Sequence, residues 1–191
     1  MPVNISTPNP GNANIVLAGF MGTGKTTTGR LLSEMLNREF IDMDAEIELR
    51  QGLPINRIFA EQGERFFRKL ESDMAAELAQ RRNLVIAAGG GAILNSDNLA
   101  HLTATGIVIC LTARPETIAS RMSNATTRPL LAGADPAEVF EKINKLLQER
   151  QPAYAALPRR IATDGLAPEE VAAEIMRQYL SLSAQPGKPA D

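Results

Sequence analysis

The chain has 191 residues, 44% of them hydrophobic and 22% charged, which suits one folded domain and excludes a disordered chain. Twenty Lys+Arg against twenty-two Asp+Glu give a net charge of −2, which argues against a general nucleic-acid or membrane-surface binder. A single cysteine, Cys110, and a single histidine, His101, exclude an intramolecular disulfide and the usual zinc sites, and no apolar run approaches the roughly 18 residues of a membrane span.

Residues 1–13 are rich in Pro, Gly, Asn and Ser/Thr and are expected to form a flexible leader. The end, 183–191, is expected to be a flexible tail, leaving one domain over 14–182. Asn14 to Ala18 reads as a strand that enters a glycine-rich turn, and a helix is predicted from Lys25 to Asn37. Glu39 to Asp42 is a short strand, followed by a helix over 44–51 that Gly52 ends. Pro54 opens a short helix ended by Gly63. A longer helix is predicted over 64–82, with Phe67, Leu70, Met74 and Leu78 on its apolar face. Leu84 to Ala88 is a third strand that stops at Gly89-Gly90-Gly91, and Ile107 to Leu111 is the fourth. Pro115 starts a helix to about Met122. The aperiodic stretch 122–134 is expected to be a mobile loop, and Asp135-Pro136 opens the next helix. Arg159 to Thr163 is a fifth strand, and Pro168 starts the last helix. Short apolar strands alternating with helices imply an α/β layer fold with a parallel sheet.

The strongest motif is Gly19-Phe20-Met21-Gly22-Thr23-Gly24-Lys25-Thr26, which matches G-x-x-x-x-G-K-[ST] between a strand and a helix. Such a loop cradles phosphates with backbone N–H groups, and the helix N-terminus adds partial positive charge. Gly22, Thr23, Gly24, Lys25, Thr26 and Thr27 are therefore candidate nucleotide contacts, with Lys25 reaching the β- and γ-phosphates and Thr26 a Mg²⁺ ion. The size of the chain points to a small phosphotransferase.

Asp42 and Asp44 follow at the end of the second strand. Alternation along a strand would aim both at the mouth of the sheet, one for the metal and one for an acceptor hydroxyl. The competing reading is a pair of solvated carboxylates capping the next helix. Arg68 and Glu71, three apart, read either as an exposed ion pair or as part of a site. The third strand ends in Ala87-Ala88-Gly89 rather than in an acid, which leaves Asp42 as the metal-side carboxylate. Fifteen of the twenty basic residues are arginine, through codon usage or through a site that grips planar anions.

Taken together, the segments GFMGTGKTTTGR, FIDMDAEIE, GLPINRIFAEQGERFFRKLE, AAGGGAI, TTRPLL and LLQERQPAY resemble the shikimate kinase family over nearly the whole folded region. The resemblance implies a three-layer P-loop kinase fold, with a five-stranded parallel sheet between helices and a mobile lid. It implies transfer of the ATP γ-phosphoryl group to the 3-hydroxyl of shikimate with Mg²⁺, a step toward chorismate and the aromatic amino acids. By motif position, Asp44 looks like the carboxylate on the shikimate hydroxyls, Arg68 and Arg150 like the clamp on its carboxylate, and Gly90 like a backbone contact. Arg128 looks like the lid arginine on the transferred phosphoryl group, and Arg121 like an arginine beside the nucleotide. The substrate-binding region falls at about 42–72. A small-molecule kinase with another acceptor, and a non-catalytic nucleotide-binding module, are the alternatives. The expected partners are ATP and shikimate only, with no nucleic acid and no membrane, in a cytoplasmic monomer.

Overall fold

The computed structural model describes residues 11–122 and 136–183. Five strands, β1 (Asn14–Gly19), β2 (Glu39–Asp42), β3 (Leu84–Ala87), β4 (Gly106–Thr112) and β5 (Arg160–Ala162), form one sheet in the order β2-β3-β1-β4-β5. Every neighbouring pair is parallel. Central β1 is buried at all six positions, as a strand covered on both faces must be.

Side-chain alternation divides the core into two layers. Val16 and Ala18 on β1, Ile86 on β3 and Val108 and Cys110 on β4 face one way. They pack against helices α2 (Met43–Gln51), α3 (Ile55–Gln62), α4 (Glu64–Leu78), α5 (Ser96–Thr105), α6 (Pro115–Met122) and α7 (Pro136–Ala155). Ile15 and Leu17 on β1, with Ile107, Ile109 and Ile161, face α1 (Lys25–Leu36) and α8 (Pro168–Ser183). The three-layer α/β expectation holds.

At the N-terminal edge of the sheet, the buried side chain of Asn14 joins the starts of three strands. Its Nδ2 donates to Arg81 O (2.9 Å) and to Thr105 Oγ1 (3.2 Å), and its Oδ1 accepts from Leu84 N (2.9 Å). Residues assigned to the leader reach into this region. Ala13 is buried in the core, its carbonyl accepts from Arg38 Nη1 (2.9 Å), and Asn12 O accepts from Asn83 N (3.0 Å). The boundary at 13 was therefore set too late for 11–13, because polar composition hides a backbone that the sheet edge uses. Residues 1–10 and 184–191 lie outside the described residues, as do 123–135, which hold most of the expected lid and Arg128.

Two other expectations change. The long helix stops at Leu78, not at Arg82, and Asn83 turns the chain with φ of 63°. A helix that the sequence reading missed, α5, occupies 96–105 and carries the exposed His101. Its Thr103 and Thr105 are β-branched and poor helix formers. Its start is nonetheless marked: Asn95 Oδ1 accepts from Asp97 N (2.8 Å) and Asn98 N (3.4 Å).

Candidate active site

The site lies past the C-terminal ends of adjacent strands β1 and β3, where open α/β sheets bind ligands. β1 runs into the phosphate loop. Gly19 has φ of 128°, and a Cβ there would stand 2.1 Å from Leu111 O, so no other residue fits. Lys25 folds over this loop, donating from Nζ to Gly19 O and Phe20 O, both at 2.9 Å. No side chain caps α1, and no acidic residue sits in its first turn, so the positive end of the helix faces the cavity.

The cavity measures about 620 Å³. The phosphate loop from Gly22 to Thr28 forms its floor, and Asp42, Asp44 and Glu48 stand on one side. Arg121, Thr163, Leu166, Pro168 and Val171 close the other. Arg121 ties the two walls of that side together. Its guanidinium donates to Gly22 O (3.4 Å), Thr163 Oγ1 (3.0 Å) and Thr163 O (2.8 Å). Asp164 anchors the first turn of the same helix, accepting from Arg114 N (3.0 Å) and Thr117 Oγ1 (2.6 Å). Against the slight burial that would raise it, these bonds hold the Asp164 carboxyl below its ordinary value. The resemblance points to the neighbourhood of 163–167 for a contact to the base without assigning a residue, and the fold shows Thr163, Leu166, Pro168 and Val171 lining the cavity.

Asp42 and Asp44 both line the cavity, but not by alternation along a strand. Helix α2 begins at Met43, so Asp44 lies in its first turn. Asp42 caps that helix through Oδ1, accepting from Asp44 N (3.1 Å) and Ala45 N (3.4 Å), while Oδ2 accepts from Thr26 Oγ1 (2.6 Å). The capping alternative thus holds for Asp42, whose other oxygen meets the Thr26 hydroxyl at the cavity.

The glycine turn after β3 closes a second compartment beside the first. A Cβ at Gly90 would stand 3.5 Å from Met21 N, 3.7 Å from Gly19 O and 3.7 Å from Arg150 Nη1. One at Gly89 would strike Asp44 Oδ1 (2.6 Å) and Glu71 Oε1 (2.7 Å), and one at Gly91 would strike Arg68 Nη1 (2.7 Å). Gly89 and Gly91 therefore leave room for Asp44 from α2 and for Arg68 and Glu71 from α4, while Arg150 from α7 stands in ordinary contact distance of Gly90.

Arg68 is held from two sides. Nη1 donates to Glu71 Oε2 (2.5 Å), while Nη2 donates to Glu64 Oε1 (3.0 Å). Glu71 is only 1% exposed, so this is not the solvated helix pair that the spacing allowed. Burial pushes its carboxyl above the ordinary range, Arg68 pulls it down, Asp44 pushes it up, and Arg150 pulls it down. Both arginines also rest on aromatic rings: Arg68 Cζ is 6.0 Å from the Phe59 centroid, and Arg150 Cζ is 5.4 Å from that of Phe20. Such cation–π contacts favour these positions of the two guanidinium groups before any ligand arrives. In the sequence Glu71 enters only as the partner of Arg68, and Phe20 and Phe59 are not singled out as site residues. The one available signal was the i,i+3 spacing of Arg68 and Glu71.

The shikimate kinase family model matches residues 21–180. A shikimate kinase from Thermodesulfovibrio yellowstonii is 42% identical over 170 residues, which are 89% of this chain and 96% of that protein. One from Moorella thermoacetica is 46% identical over 162 residues, 85% of this chain and 91% of that protein. The solved shikimate kinase from Acinetobacter baumannii in complex with shikimate has a TM-score of 0.85 at 39% identity, covering 92% of this chain and 97% of that one. A gluconokinase from Sinorhizobium meliloti, at TM-score 0.58 and 19% identity over 92% of this chain and 95% of its own, shares the fold alone. The order of motifs, the sheet and these matches agree, and the chain belongs to the shikimate kinase family.

Proposed function

We propose that the two compartments divide the reaction of the family between them. That reaction moves the γ-phosphoryl group of ATP to the 3-hydroxyl of shikimate. The observation that carries this reading is the contact between the two glycine turns, which sets a phosphate cradle within reach of a carboxylate-and-arginine pocket.

ATP would lie along α1, with its phosphates on Gly22 to Thr27 and its base against Leu166, Pro168 and Val171, beside Arg121. Shikimate would place its carboxylate between Arg68 and Arg150, whose forks suit a planar anion. Its hydroxyls would meet Asp44 and the backbone at Gly90. The 3-hydroxyl oxygen attacks the γ-phosphorus, and its proton passes to the Asp44 carboxylate. The bond from that phosphorus to the β–γ bridging oxygen breaks, and ADP leaves. Negative charge spreads over the equatorial oxygens as this happens. Lys25 therefore stabilises the transition state more than the bound substrate, and Arg128 is assigned the same task.

Thr26 and Asp42 suit a Mg²⁺ ion. They offer a hydroxyl and a carboxylate 2.6 Å apart beside the phosphate cradle. Among the described residues no cluster of three or more acidic, His or Cys side chains competes for a metal. Mg²⁺ commonly takes its remaining ligands from phosphates and water. When bound it would neutralise phosphate charge. The same reading has the protein work as a cytoplasmic monomer on free small molecules, without nucleic acid or membrane. A net charge of −2 supports a small-molecule role, and no helix among the described residues is long and apolar enough to cross a membrane.

The test is ADP release measured with a panel of hydroxy-acid acceptors. Shikimate should stimulate release strongly and only with Mg²⁺ present. Equal stimulation by gluconate or a nucleoside, with none by shikimate, would refute the assignment.

A further inference from the structure

The middle carbonyl of the triple-glycine turn is held differently from its neighbours. Gly89 O accepts from Ala92 N (3.0 Å) and Gly91 O accepts from Leu94 N (3.0 Å), so the outer two are fixed by the local backbone. Gly90 O accepts instead from the phenol of Tyr154, at 2.6 Å, across 64 residues of sequence. Tyr154 lies on α7, one turn beyond Arg150 and two residues past Pro152, which interrupts the hydrogen-bond ladder of that helix. Its side chain is buried, and burial raises the phenol to about 12, with Arg150 pulling against that rise. It is therefore a neutral donor across the physiological range.

A peptide plane flanked by glycines on both sides has no Cβ to resist a flip. Because C=O and N–H of one plane point in opposite directions, whatever holds Gly90 O also fixes the heading of Gly91 N–H. Among the described residues no backbone or side-chain acceptor takes the Gly90 or Gly91 N–H, so these donors are available to a ligand in the acceptor compartment.

We infer that Tyr154 is a positioning residue for the acceptor site: its hydroxyl locks the Gly90–Gly91 peptide plane and registers α7, with Arg150, against the glycine turn. This rests on the reading of Arg68, Arg150 and Gly90 as the shikimate pocket. Tyr154 touches neither substrate. Its effect should appear in acceptor affinity and not in nucleotide affinity, because the phosphate loop keeps its own contacts.

The experiment compares Tyr154→Phe and Arg68→Ala with the unaltered enzyme. It uses steady-state kinetics in both substrates and calorimetric titration of shikimate without nucleotide. Tyr154→Phe removes one oxygen and should raise the shikimate KM and Kd about five- to tenfold, with kcat and the KM for ATP changed less than twofold. A melting curve checks that the variant is folded; if it is not, the amide ¹⁵N shift of Gly91 during a shikimate titration of the unaltered enzyme replaces it, and an unmoved shift overturns the inference. An unchanged shikimate KM in Tyr154→Phe, while Arg68→Ala raises it about a hundredfold, overturns the role of Tyr154 and leaves the pocket standing. An equal rise in both KM values overturns it too, since general loosening would do that. No effect from Arg68→Ala would sink the pocket itself.

Discussion

The phosphate cradle and the acceptor compartment are neighbours built by opposite means. The cradle is one stretch of chain: Gly19 to Thr27 supplies its amides, its lysine and its hydroxyl, and the fold adds little beyond a strand before and a helix after. The compartment proposed for the acceptor draws Asp44, Arg68, Gly90 and Arg150 from α2, α4, the turn after β3 and α7, with Arg68 held by Glu71, Gly90 by Tyr154 and Arg150 set over Phe20. In the cradle, function and local backbone are the same thing. In the proposed acceptor compartment the parts come from separate elements, and supports such as Glu71, Phe59 and Tyr154 join them across the fold.

Three substitutions probe that contrast, from the largest effect down. Lys25→Ala strikes the cradle at its one charged side chain, and kcat should fall about a thousandfold. The shikimate KM and the melting temperature should barely move, because the Gly19 and Phe20 carbonyls that Lys25 bonds are already positioned by the loop. A large loss of stability in that variant would erase the distinction between the regions.

Glu71→Gln tests whether the acceptor side stores electrostatic cost. Burial raises the Glu71 carboxyl in the folded state, so between the ordinary and the raised value the native protein binds more proton there than the unfolded chain does. Stability from this group therefore falls as pH rises from the ordinary carboxyl value through the raised one. Melting temperatures of the variant and the unaltered enzyme, measured from pH 4 to about 7.5, should diverge in favour of the variant as pH increases. About 1 kcal/mol, or a few degrees, is expected. Shikimate affinity should drop at the same time, because Arg68 loses its charged partner. A difference that shrinks with pH would reverse the assigned sign.

Asp164→Asn gives the smallest expected change. It weakens the anchor of α6 and, through Arg121 and Thr163, the base side of the nucleotide cavity. The KM for ATP should rise about threefold with the shikimate KM unchanged. A larger effect on shikimate than on ATP would show that the two compartments are coupled through α6.

The legibility of this molecule in its sequence follows the same division. Strand β1, the turn after it and α1 are readable because glycine spacing, an apolar run and a Lys-Thr pair all lie within a dozen residues. Asp44 is marked by its acidic partner two residues before it, but Arg68 and Arg150 gain a role only from the order of motifs, since an arginine on a helix carries no local mark of what it faces. Glu71 reads as half of a surface pair until burial is known. Tyr154 reads as core, and its bond to Gly90 exists only once α7 is folded against the glycine turn. Helix α5 escaped notice because its threonines suit a strand better than a helix, and tertiary packing overrides that preference. Asp42 shows the reverse case: its acidic side chain reads locally as a helix cap, and one oxygen caps α2 while the other meets Thr26 beside the phosphate loop.

Asn14 has a consequence for how such a molecule can change over time. One amide side chain ties β1, β3 and β4 together at the end of the sheet farthest from the chemistry. Strands aligned at their origins deliver their far ends side by side whatever turns are attached there. The part that keeps the fold and the part that chooses the acceptor are thus physically separate. A lineage could exchange one acceptor pocket for another without loosening the strands that carry it. That a gluconokinase retains this fold at 19% identity is what such a separation would permit.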